Sequence, residues 1–67
     1  MIQIELNGEA KEIDDNSTVA SLVAELSLPN RGLAVEVNYE VIPRSKHPDV
    51  ILKSGDHIEI VTLVGGG

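Results

Sequence analysis

The last ten residues, IEIVTLVGGG, place Gly65, Gly66 and Gly67 directly after an apolar, β-branched run. A glycine-rich turn at the head of a helix can cradle phosphate through its backbone N–H groups. No helix-forming residues follow this triplet, so it is expected to act through its carboxylate instead. Fully extended, Val64–Gly67 would span at most about 13 Å, at roughly 3.3 Å per residue. That reach carries a terminal carboxylate off a folded body and into another protein's active site. Glycines lack Cβ atoms, so such a thread fits a channel too narrow for other residues and leaves the terminal carbonyl open to a nucleophile.

A free carboxylate is a poor acyl donor because its leaving group would be oxide. Attack on the α-phosphate of ATP makes an acyl-adenylate, from which AMP can depart. The chain has none of the equipment for that step. It carries no glycine-rich loop leading into a helix, no acidic constellation for Mg²⁺ and only five basic residues. It is therefore expected to be a substrate and carrier rather than an enzyme, with no metal or cofactor of its own. The sequence contains no Cys, which removes side-chain persulfides, thiolate nucleophiles and iron–sulfur ligation. His47 and His57 have no supporting ligands at metal-site spacing and read as surface or loop histidines. Arg44 and Asp56 read as surface and turn residues, and Tyr39 as packing at a strand turn.

At 67 residues the chain is one domain with a marginal core. Its 42% hydrophobic content argues for a packed fold. Eleven acidic residues against five basic ones give a formal charge of −6. Nucleic acid, whose phosphates need a basic face, is not an expected partner; proteins with basic surfaces are. No apolar stretch approaches the ~20 residues of a membrane helix. The opening MIQIELNGE lacks the basic and apolar regions of a secretory signal, so a cytoplasmic location is expected.

The elements that must position the tail follow from periodicity. Ile2, Ile4 and Leu6 alternate with polar residues as in a half-buried strand. Asn7-Gly8 predicts a two-residue hairpin turn, with residues 9–13 returning as a charged edge strand. DDNST can cap a helix whose apolar stripe is Val19, Leu22, Val23 and Leu26, with Pro29 ending it. Residues 33–37 form a strand, Asn38-Tyr39 a turn and residues 40–42 a short strand closed by Pro43. Residues 44–54 read as connection anchored by Val50–Leu52. Gly55-Asp56 then launches the last strand, from about His57 to Leu63.

One helix across one face of a small mixed sheet is the simplest way to bury these stripes. A right-handed crossover would carry the hairpin through the helix to a parallel neighbouring strand. The expected fold class is α+β of the β-grasp type, with a body over residues 1–63 and a flexible glycine tail over 64–67. With Ile58 and Ile60 turned inward, Glu59, Val61 and Leu63 must turn outward. A sheet with one helix leaves its second face bare, which assigns Val61 and Leu63 to an exposed docking patch.

The chain resembles the sulfur-carrier family of bacterial thiamine biosynthesis, a ubiquitin-like β-grasp family. The resemblance runs end to end. It comprises I-x-L-N-G-E at 4–9, S-T-V at 17–19, A-V-E-V-N at 34–38, V-I-P-R at 41–44, G-D-x-I-E-I-V at 55–61 and V-G-G-G at 64–67. It departs at His47, where many members carry Trp. It implies that a ubiquitin-activating-type (ThiF-like) enzyme, using ATP and Mg²⁺, adenylates the Gly67 carboxylate. A persulfide sulfur donor then replaces AMP, and a thiazole synthase (ThiG-like) consumes the resulting thiocarboxylate. Gly67 becomes the modified residue, Val64, Gly65 and Gly66 the thread, and Val61 and Leu63 the docking positions. Three alternatives stand beside this reading. They are a carrier like the small subunit of molybdopterin synthase, a ubiquitin-like protein modifier, and a non-reactive β-grasp interaction module.

Overall fold

The computed structural model describes residues 1–28 and 32–62. The elements are β1 (Ile2–Leu6), β2 (Glu9–Ile13), α1 (Val19–Glu25), β3 (Leu33–Val37) and β4 (Glu40–Val41). A 3-10 helix (Arg44–Asp49) and β5 (His57–Thr62) complete them. One sheet forms in the order β2-β1-β5-β3-β4.

The β1–β2 hairpin closes through Asn7 and Gly8 at φ 50° and 86°, both in the left-handed region that a two-residue turn demands. That turn sets Leu6 opposite Glu9 and Ile2 opposite Ile13. Ile4 and Ile13 consequently reach the core, while β2 takes a sheet edge as its charges suggested. The expected crossover to a neighbouring strand is corrected by the register. Helix α1 leads into β3, which is separated from β2 by both β1 and β5. The adjacent parallel pair is instead β1 with β5, while β3 runs antiparallel to β5. β5 takes the centre, where a neighbour on each side can satisfy its backbone.

Helix α1 starts at a reciprocal cap. Thr18 Oγ1 accepts the Ser21 N–H at 3.1 Å, and Ser21 Oγ accepts the Thr18 N–H at 2.8 Å. The helix ends earlier than Pro29 suggested. Ser27 turns left-handed at φ 58°, its N–H donates to the Ala24 carbonyl, and the Leu28 N–H reaches back to that of Val23. This is a Schellman closure with serine where glycine is usual.

Val19, Leu22 and Val23 of α1 meet Ile4, Ile13, Val35, Val37, Ile58 and Ile60 of the sheet. Leu52 joins this core, as the anchoring role of Val50–Leu52 requires. It is fixed by its N–H donating to the Ser17 carbonyl at 2.8 Å. The connection is more ordered than its composition suggested. Residues 44–49 wind into the 3-10 helix, and His47 is buried there at 8% exposure rather than lying on the surface. Its Nε2–H donates to the Ile42 carbonyl at 3.1 Å, which satisfies the one polar contact its burial demands. No helix among the described residues is long and apolar enough to cross a membrane.

Leu22 is 1% exposed at the helix–sheet contact. Leu22→Ala should cost about 2–5 kcal/mol. A chain of this size has a total stability of about 3–10 kcal/mol. Urea melts should therefore show a greatly lowered midpoint or no cooperative transition.

Candidate functional site

The strand leading to the glycines is β5, and both of its faces are now defined. Ile58 and Ile60 are buried, so Glu59 and Val61 stand on the outer face, where Val61 is 53% exposed. Leu63, Val64, Gly65, Gly66 and Gly67 lie outside the described residues. Of the positions expected to act, the described chain therefore contains Val61 alone.

The register brings other residues to the same face. Ala34 lies opposite Val61, and Glu36 lies opposite Glu59 on one side and Val41 on the other. Val41 is 61% exposed, so two valines on separate strands flank the facing glutamates. Two like charges directly opposite on adjacent strands repel. Glu59 has a hydrogen-bond partner, because His57 Nε2 lies 3.3 Å from its Oε2. Glu36 has no ion-pair partner among the described residues.

His57 is held from three directions. Its Nδ1 lies 3.3 Å from Glu5 Oε2 on β1, its Nε2 faces Glu59, and the ring of Tyr39 stacks on it with centroids 4.7 Å apart. The expected packing of Tyr39 at the β3–β4 turn is thus a stack on one face only, with 75% of the residue still exposed. Asp56 is the turn residue expected: Oδ2 accepts the Lys53 N–H at 2.8 Å, and Oδ1 accepts from Asn38 Nδ2 at 3.1 Å. The outer face therefore presents Val41, Val61 and Tyr39 among Glu5, Glu36 and Glu59. Sequence reading found Val61 by alternation but missed Glu36, Val41 and Tyr39. They come from other strands and the β3–β4 turn, and only the β3–β4 and β3–β5 registers bring them together.

Two asparagines tie this face to the strand ends. Asn7 Oδ1 accepts the Ile60 N–H at 2.9 Å and Asn7 Nδ2 donates to the Ile60 carbonyl at 3.3 Å. At the other end, Asn38 Oδ1 accepts the His57 N–H at 3.0 Å.

The model of the ThiS family matches residues 4–67, which includes the terminal glycines. The chain belongs to the ThiS family. It is 40% identical over 65 residues to the sulfur carrier protein ThiS of Bacillus subtilis, covering 96% of this chain and 98% of that one. It is also 38% identical over 66 residues to a thiazole synthase of Paramagnetospirillum magneticum. That match takes in 98% of this chain but only 20% of the synthase. The crystal structure of the thiamine biosynthesis protein ThiS from Geobacter metallireducens superposes with a TM-score of 0.83 at 28% identity, covering 98% of this chain and all of that one. The β-grasp fold expected from the pattern of strands and helix, and ubiquitin-like by the family resemblance, is the fold of this chain.

Glu36→Gln removes the cross-strand repulsion without changing side-chain size. The melting temperature should rise by about 1–5 °C, measured by circular dichroism.

Proposed function

We propose that the chain is a sulfur carrier for thiazole formation in thiamine biosynthesis, with the Gly67 carboxylate as its reactive group. The supporting observation is the family match running through the final glycines. The Gly67 carboxylate attacks the α-phosphate of ATP in an adenylating partner, and pyrophosphate leaves. The terminal sulfur of a cysteine persulfide then attacks the acyl carbon and AMP departs, leaving an acyl disulfide. A thiol cleaves its S–S bond and is itself oxidised to a disulfide, releasing the C-terminal thiocarboxylate. Gly65 and Gly66, with Val64, form the thread into the partner's site. ATP and Mg²⁺ belong to that partner, and this chain acts as carrier and substrate.

The partner that consumes the sulfur is proposed to be a thiazole synthase. Supporting this, a segment of the Paramagnetospirillum synthase resembles nearly the whole of this chain. Joining two proteins in one polypeptide raises their effective concentration and favours pairs that act together. Val61, with Leu63 beyond it, is proposed as the docking centre. Val41 and Tyr39 extend its apolar area, and Glu36 and Glu59 lend it charge complementary to a basic partner.

Incubation with a ThiF-like adenylating enzyme, ATP and a persulfide donor should raise the intact mass by the difference between sulfur and oxygen, at the C-terminus alone. Conjugates on lysines of other proteins would indicate a modifier instead, and an unchanged mass would leave only an interaction module. Removing Gly66 and Gly67 should abolish the mass change while leaving the melting temperature unaltered. Val61→Asp should raise the KM for the carrier in adenylation by about tenfold, with little effect on melting because the residue is exposed.

A further inference from the structure

Asn7 does two separable jobs, of which the turn needs only one. Its backbone, at φ 50°, makes the hairpin, and glycine could supply that conformation equally well. Its side-chain amide is committed elsewhere, to both backbone groups of Ile60 across 53 residues of sequence. Simultaneous donation and acceptance requires a carboxamide: aspartate lacks the donor and glycine lacks both groups.

The position of this clamp gives it its meaning. The ladder between β1 and β5 consists of Glu5 with His57 and Leu6 with Ile58, followed by the Asn7 N–H donating to the Ile58 carbonyl at 2.9 Å. There β1 turns away into the hairpin. The Asn7 side chain then stands in for the peptide group that β1 no longer supplies. It extends the pairing to Ile60, two residues before the end of β5. On its other side, β5 is paired with β3 as far as Thr62. β5 is thus held on both edges up to Ile60, immediately before the run that carries the glycines.

We propose that Asn7 is a positioning residue for the carrier reaction. By holding Ile60 it fixes the end of β5 that precedes the tail in sequence. The proposal rests on the carrier reading above. Without the clamp, β5 frays backward from Thr62, and each residue released must be ordered again when the tail threads into the partner's site. Docking through the outer face comes before threading, so the loss falls on turnover rather than on binding.

Asn7→Gly keeps the turn and removes the clamp; Asn7→Asp keeps the turn and the acceptor but sets a carboxylate against the Ile60 carbonyl. With the ThiF-like enzyme, both variants should lower kcat for adenylation by about tenfold, the ordering of roughly one further residue. Their KM should stay within about twofold of the parent, at a temperature where circular dichroism shows them folded. Independently of any enzyme, amide hydrogen exchange should quicken at Ile60 and remain unchanged at Glu5 and Glu36. Faster exchange with unchanged kcat would show a clamp that is structural only, overturning the positioning role. Unchanged exchange would overturn the clamp itself. If the parent chain is not adenylated at all, the carrier reading fails and takes this role with it, whatever the exchange shows.

Discussion

The fold depends on how its central strand is held. β5 lies between a parallel neighbour, β1, and an antiparallel one, β3, and contributes Ile58 and Ile60 to the core. A central strand has no solvent to satisfy its backbone, so its N–H and C=O groups must find partners along its whole length. Neither β1 on one edge nor β3 on the other does this alone. Asn7 and Asn38, both in left-handed turns, supply the missing partners at opposite ends of β5 through their side chains. The same two residues reverse the chain and complete the ladder, so turn chemistry and sheet register reinforce each other.

From that arrangement the two faces of the sheet acquire different work. The inner face is closed by α1 and the segment around Leu52, and this is where the chain's modest hydrophobic content is concentrated. The outer face carries no covering element among the described residues and presents valines, a tyrosine and glutamates. In a domain this small, one well-packed face must supply most of the stability. The other is then free to hold groups that cost stability, such as the opposed Glu36 and Glu59.

Much of the fold was legible because its signals are local. The alternation of β1, the Asn7-Gly8 turn, the stripe of α1 and the inward isoleucines of β5 each require only near neighbours in sequence. The points missed have a common cause. Ser27 ends the helix although no glycine marks the place, because its left-handed conformation is stabilised by bonds to carbonyls already fixed in α1. His47 lies in a polar stretch that reads as surface, yet the carbonyl of Ile42 lets it be buried. Both depend on partners that exist only once the chain has folded.

Composition and order of residues by themselves determined the fold class, the absence of thiol chemistry and the exposed side of β5. These follow from residue type and a period of two. Tertiary structure alone decided that β5 sits at the centre, that Glu36, Val41 and Tyr39 share a face with Val61, and that Asn7 reaches Ile60. Strand order and register are set by which apolar faces can be buried together. That is a property of the assembled sheet, and no single segment carries it.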